Sequence, residues 1–284
     1  MPLFCTNCRL VHRLMARNHH PYLSQAGYHR AVYWACCRFV CFINDMPDVV
    51  HSSIQMFVDD AKLFREIKNH ADCEELQKDL CELQDWSKKW LPRFNVTKCK
   101  RMHLGRTNSK EAYHMSQQDK ETVLFETECE KDLGVYVDNE LKFSGHCEKK
   151  VIQANKLLDL IRRSFRYLDS PSLETIFKSE VLPHLEYCHP VWSPRYASDC
   201  QLVENIQRKA TRLVPALRHL NYPQRLERLN LSSLYYRRAR GDLIEVYKHL
   251  KGHYSVECPY LELADARPTR GHSSRLKKPQ VRKL

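Results

Sequence analysis

The chain has 284 residues, 43% of them hydrophobic, which is enough for one large domain or two small ones. Lys and Arg number 46 against 34 Asp and Glu, so the formal charge of +12 favours polyanionic partners. No apolar run approaches the roughly 20 residues that a membrane span needs, and thirteen cysteines behind an opening without a signal-peptide pattern read as reduced thiols of the cytoplasm or nucleus, not as a secreted disulfide framework.

Residues 1–38 read as a divergent, disordered leader of mixed polarity. Cys5 and Cys8 form a C-x-x-C with His12, His19 and His20 nearby. A zinc site needs four ligands, usually as two spaced pairs, and this spacing matches no common finger or knuckle, so zinc is not expected. Residues 39–50 read as the end of a helix stopped by Pro47. Over 53–67 the pattern becomes a hairpin. Ile54, Met56 and Val58 alternate with Ser53, Gln55 and Phe57, the adjacent acids Asp59 and Asp60 follow, and Leu63 and Phe64 resume the apolar run. Adjacent acids most often mark an exposed turn. Here the turn holds no Gly, Asn or Pro, so it stores strain of the kind that gathers at functional sites. Hard cations such as Mg²⁺ take carboxylate oxygens of this sort.

Leu76, Leu80, Leu83 and Trp90 recur at helical spacing over 71–91, with Asp72 placed as a cap. Phe94, Val96, Met102 and Leu104 suggest one strand, 105–118 a polar loop, and Leu133, Val135 and Val137 a further strand. From about residue 145 the periodicity is helical throughout. Val151, Ala154, Leu158, Ile161 and Phe165 make one stripe, and Leu173, Ile176, Phe177 and Val181 a second, ended near Pro183. Leu202, Val203, Ile206, Ala210 and Leu213 make a third, and Leu234, Leu243, Val246, Tyr247 and Leu250 a fourth. Short connections between such helices favour a bundle.

Basic residues gather on this helical half. Arg162, Arg163 and Arg166 follow the first stripe, Arg208, Lys209 and Arg212 share a face, and Arg237, Arg238 and Arg240 follow Tyr235 and Tyr236. A solvated helix face explains any one cluster. Their repetition beside aromatic residues favours a surface that tracks a duplex. Residues 256–284 read as a disordered basic tail: 267–283 carry seven Lys or Arg and no acid, a composition that suits phosphate contact.

Several short motifs recur in a telling order. They are Phe42-Ile43-Asn44-Asp45-Met46-Pro47, Phe57-Val58-Asp59-Asp60-Ala61-Lys62-Leu63-Phe64 and Phe94-Asn95-Val96-Thr97-Lys98-Cys99-Lys100. Lys131-Asp132-Leu133-Gly134-Val135, Arg162-Arg163-Ser164-Phe165, Pro183-His184-Leu185-Glu186-Tyr187 and Val191-Trp192-Ser193-Pro194 follow. Together they resemble the reverse transcriptase of non-LTR retrotransposons of the LINE or jockey-like type, over about residues 40–284.

The resemblance implies an α+β fold: a partial right-hand polymerase palm of acidic hairpin, helix and strands over 39–144, then an all-α thumb and connection region over 145–255. It implies attack of a primer 3′-hydroxyl on a nucleotide α-phosphate, assisted by two Mg²⁺ or Mn²⁺ ions. By the resemblance, Asp59 is a metal ligand and Asp60 a weaker ligand or a support. Lys98 is a candidate to protonate or neutralise the leaving pyrophosphate, although a solvated strand-end lysine explains it equally well. Leu133 and Gly134 fall in the hairpin that grips the primer end. The implied partners are an RNA template with a DNA primer, or the duplex they form.

The chain also departs from the family. An earlier metal-binding Asp and a Pro-Gln-Gly-Ser-type nucleotide loop are both missing, and no Asp precedes Asp45. The family-like sequence is preceded by Tyr33-Trp34-Ala35-Cys36-Cys37-Arg38. Two functions follow as expectations: a fragment of an RNA-directed DNA polymerase that is inactive alone, or a non-catalytic remnant that binds nucleic acid through its basic helices. A plain interaction protein, a third class, would show no metal response at Asp59.

Overall fold

Strand-forming segments crowd the first half of the chain and amphipathic helices fill the second, giving an α+β architecture in two compact units, Met1–Leu141 and Lys142–Leu284. The computed structural model describes residues 2–11, 41, 43–57, 60–90, 93–105, 108–117, 120–254, 263–264 and 276–277.

The first unit is built on a six-stranded sheet. Its strands are β1 (Pro2–Val11), β2 (Ser53–Phe57), β3 (Asp60–Glu66), β4 (Arg93–Phe94), β5 (Lys100–His103) and β8 (Phe125–Glu126), in the order β2-β3-β1-β5-β8 with β4 also on β1. Two hairpins accompany it, β6 (His114–Gln117) with β7 (Lys120–Val123), and β9 (Cys129–Asp132) with β10 (Val135–Asp138). Successive side chains of a strand point to opposite faces. Ala61 and Leu63 of β3 face the core, where they cluster with Leu76, Leu80, Leu83 and Trp86 of helix α1 (His70–Trp90). Asp60, Lys62 and Phe64 lie on the other face.

Helix α1 opens on a reciprocal cap. Asn69 Oδ1 accepts from the Asp72 N–H (3.1 Å), and Asp72 accepts from the N–H groups of Lys68 (2.9 Å) and Asn69 (3.1 Å). Asn69 is therefore the cap and Asp72 the residue that answers it. The two backbone bonds, with Arg65 adjacent, hold the Asp72 carboxyl below its ordinary range. Trp86, not Trp90, meets the core, and its indole donates to Asp45 Oδ1 (3.1 Å).

Several expectations change here. Residues 2–11, assigned to the leader, form the strand that joins β3 to β5: each has a free edge, and a chain that pairs on both sides satisfies its own backbone groups and theirs. The single strand over 94–104 is two, β4 and β5, parted by a 3-10 turn at Val96–Lys98. The loop over 105–118 ends in β6, anchored by buried Met115. Cys41 and Ile43 are helical and that helix ends before Pro47, which itself sits in the first turn of a short 3-10 helix, Met46–Val49, where a missing N–H costs nothing.

The second unit is a helical bundle. Helix α2 (Ser144–Ser164) is followed by α3 (Ser170–Ile176), which runs through a π turn at Phe177–Val181 into α4 (Leu182–Glu186). Pro183 cannot donate and its ring crowds the preceding turn, and the widened turn before it makes room. Then come α5 (His189–Trp192), α6 (Ala197–Ala210), α7 (Tyr222–Arg228) and α8 (Leu234–Leu250). Leu158, Ile161, Leu173, Phe177, Val181, Leu185, Val203, Ile206 and Ala210 fill the core. Of the fourth expected stripe, Leu234 joins them and Leu243, Val246, Tyr247 and Leu250 do not. On α8 the inward face carries Leu234, Arg238 and Gly241, while Leu243 and Tyr247 are exposed.

Candidate metal hairpin and nucleic-acid interface

The β2–β3 hairpin pairs Phe57 with Asp60, and Asp60 also stands opposite Arg9 of β1. Asp59, the expected first metal ligand, lies outside the described residues. Asp60 is half-buried and offers the hard oxygen that Mg²⁺ or Mn²⁺ prefers. Among the described residues, no group of three or more His, Cys, Asp or Glu side chains is placed to hold a metal ion. Of the residues weighed for zinc, Cys5 and Cys8 fall in β1, and His12, His19 and His20 lie outside the described residues.

One residue that sequence reasoning missed positions this hairpin. Asp79 of α1 is fully buried, and its two carboxylate oxygens accept the N–H groups of His51 and Ser52, each at 2.8 Å. Those residues lead directly into β2, so the helix sets where the hairpin begins. The available signal was an acid on the apolar side of a helix, since Asp79 adjoins Leu76, Leu80 and Leu83 in that stripe.

On the opposite face of the sheet, buried Lys62 pairs with Asp132 and Lys100 with Glu130 (2.7 Å). Glu130 and Asp132 alternate onto one side of β9, so two ion pairs fasten the β9–β10 hairpin at β3 and β5. Leu133 and Gly134 form its two-residue turn, both with positive φ (43° and 88°). That is the backbone of a type I′ turn, in which Leu replaces the usual Asn or Gly. Leu133 is exposed at the tip. Lys98 is exposed on the 3-10 turn, with no side-chain partner among the described residues.

The basic clusters divide sharply. Arg162, Arg163 and Arg166 are exposed at and just beyond the end of α2, and Arg163 Nε donates to the Asp159 carbonyl (3.2 Å). Arg208, Lys209 and Arg212 are exposed where α6 ends. Arg208 lies over the Tyr222 ring at 4.5 Å, Lys209 donates to Asn155 Oδ1 (3.0 Å), and Arg218 Nε donates to the Arg212 carbonyl (3.0 Å). Among the described residues none of these four has a carboxylate partner. The Arg225 guanidinium nearby loses basicity through its burial, with repulsion from Arg212 and Arg208 contributing.

The third cluster is placed differently from the other two. Arg237 is committed to Glu186 through both carboxylate oxygens, the second at 2.9 Å, and the pairing raises its pKa. Arg238 is only 5% exposed, and its two terminal nitrogens are shut away from solvent without a hydrogen-bond partner among the described residues. It faces buried Cys147, whose thiol is pushed up to about 12 by burial and by Asp199, with Arg238 opposing. Arg238 is closed off from solvent, whereas the Arg237 side chain stays 37% exposed beside Glu186. The helix turns Arg238 inward because it shares the face of Leu234.

No protein-family model, curated protein or solved structure matches this chain. No helix among the described residues is long and apolar enough to cross a membrane. In the basic tail, Leu263 and Leu276 form an isolated antiparallel bridge.

Proposed function

We propose that this chain is a fragment of a non-LTR retrotransposon reverse transcriptase that no longer polymerises alone and retains nucleic-acid binding through its helical unit. The observation that carries the binding is the concentration of Arg208, Lys209, Arg212 and Arg218 at one end of α6, exposed and without carboxylate partners among the described residues. Cations left without acids bind phosphates well, because each contact releases condensed counterions.

The palm reading of the first unit is supported by the acidic hairpin packed on a helix and by a second hairpin tied across the sheet. A divalent ion held by Asp59 and Asp60 would neutralise charge on phosphate oxygens. This chain's own residues would set that ion's place: Asp79 fixes the start of the hairpin, and Lys62 of the same strand is bound to Asp132. The sequence supplies no earlier Asp to complete the site, so no polymerisation step is assigned to it.

Two measurements test this reading. Binding of a DNA or RNA–DNA duplex should weaken steeply with salt, with a log–log slope near −0.9 per contact on B-form DNA. Replacing Arg208, Lys209 and Arg212 by Ala should flatten that slope by about one per lost contact. An affinity independent of salt, or a triple variant that binds like the parent, overturns the binding. Primer extension on an RNA template with Mg²⁺ or Mn²⁺ should stay at background. Incorporation that disappears in Asp59→Ala would show an active site instead.

A further inference from the structure

With Arg238 turned inward and Arg237 paired with Glu186, the outer face of α8 belongs to other residues. At 100° per residue, Tyr236, Arg240, Leu243 and Tyr247 fall within about 60° of one another, and Lys251 just past the helix continues the line. The stripe is bare: Tyr236 is 58% exposed, Leu243 70% and Tyr247 57%. It repeats one pattern twice, an aromatic ring followed four residues later by a cation, Tyr236 with Arg240 and Tyr247 with Lys251. Lys251 Nζ already lies 5.8 Å from the centre of the Tyr247 ring. The acids of α8 are elsewhere. Asp242 and Glu245 sit on the far side of the helix, beside His189 (3.3 Å) and bound to Lys248 (2.7 Å). The stripe therefore combines aromatic and aliphatic surface with positive charge alone.

We propose that this face of α8 binds single-stranded nucleic acid, with unpaired bases stacked on Tyr236 and Tyr247 and the backbone phosphates held by Arg240 and Lys251. The proposal rests on the nucleic-acid reading above and adds a second, differently built contact. A protein partner would find the same apolar surface, but the acid-free, cation-flanked rings favour a ligand that offers both π-faces and phosphates. Single-strand binding surfaces combine these two elements, and stacking tolerates any base because every base has a π-face. From Tyr236 to Tyr247 the helix rises about 17 Å, roughly the length of five stacked nucleotides at 3.4 Å each. The exposed rings need no rearrangement to be reached.

The test uses the full chain, a fluorescein-labelled 12-nucleotide oligo(U) or oligo(dT), and a blunt duplex of equal length, followed by fluorescence anisotropy. Tyr236→Ala and Tyr247→Ala should each weaken single-strand binding by roughly 5- to 100-fold while duplex affinity stays within about two-fold. Arg240→Gln should lower the salt slope for the single strand by nearly one unit. Tyrosine emission should be quenched by the oligonucleotide in the parent and less so in each variant. All three residues are exposed, so the variants should keep the parent's unfolding curve. Single-strand binding unchanged in both tyrosine variants overturns the proposal while leaving duplex binding at Arg208, Lys209 and Arg212 intact. Equal losses for duplex and single strand make the face a general phosphate surface and also overturn it. A change of oligomeric state in the tyrosine variants would assign the stripe to protein contact instead. A chain that binds neither ligand removes both readings together.

Discussion

Gly241 breaks a local rule, and the reason can be tested. A glycine inside a helix costs about 1 kcal/mol against alanine, so Gly241→Ala in α8 should stabilise the protein on propensity alone. The packing opposes this. A Cβ at position 241 would lie 2.5 Å from His189 Nε2 and closer still to Cε1. The His189 ring is 85% covered, on a four-residue helix whose buried Trp192 holds it in place by donating to the Tyr187 carbonyl (2.7 Å). Restoring ordinary contact needs a shift of about 1 Å, and such overpacking costs about 1–3 kcal/mol. The steric penalty outweighs the propensity gain, leaving a net loss of about 1 kcal/mol. Urea unfolding of Gly241→Ala, His189→Ala and the double variant separates the two effects. With His189 truncated, Gly241→Ala should turn stabilising by about 1 kcal/mol, a coupling near 2 kcal/mol. If Gly241→Ala stabilises the parent by the full propensity value, the ring simply swings aside and the close approach has no energetic weight.

Asp79→Ala should destabilise the first unit by about 2–3 kcal/mol in urea unfolding, because the Ser52 N–H is left buried without an acceptor while the more exposed His51 N–H regains water; a loss below 0.5 kcal/mol would show that the clamp is idle. Leu133→Asn should stabilise by roughly 0.5–1.5 kcal/mol, since asparagine tolerates positive φ better than leucine, and a destabilised variant would mean that the exposed leucine makes a contact of its own. His146 is buried against Trp192 (ring centres 4.7 Å apart), and burial, with Lys150 and Lys149 near, lowers its pKa to about 4 from 6.5. The folded state thus resists a proton that the unfolded state takes up. Stability from this residue is complete above pH 6.5 and is lost as pH falls toward 4, by about 3 kcal/mol in all at ~1.4 kcal/mol per pH unit. His146→Phe should abolish that part of the slope in unfolding free energy measured from pH 7 to 4; an unchanged slope would assign it to other groups.

What the sequence disclosed follows from how local each signal was. The stripes of α1, α2 and α6 were legible because Leu76, Leu80 and Leu83, Ala154, Leu158 and Ile161, or Val203, Ile206 and Ala210 each bury one helix face. The β2–β3 hairpin was legible because alternation changed phase around two acids. Helix α8 shows the limit of periodicity. Leu243, Val246, Tyr247 and Leu250 do fall on one face, but that face looks outward, and the inward one is made of Leu234, Arg238 and Gly241, a choice that only the neighbouring helices reveal. The same limit hid the fates of Arg237 and Arg238, which depend on Glu186 and Cys147, remote in sequence. Asp79 was invisible for a similar reason: its role is defined by two backbone N–H groups 27 and 28 residues away. Strand β1 lacks clean alternation, and its pairing is set by edges that appear far downstream.

That pairing has a cost in time. Strand β1 precedes its partner β5 by just over a third of the chain, Leu3 meeting His103. A ribosome adds about 5–20 residues per second, so although β3 is made sooner, the β5-facing edge of β1 waits on the order of 5–20 s before its mate exists. During that interval β1 carries one unmatched edge, open to other nascent chains or to holding chaperones. The helices of the second unit close over short loops and face no such delay. Slowing translation between β1 and β5 should therefore lower the yield of soluble protein, whereas slowing it within the bundle should not.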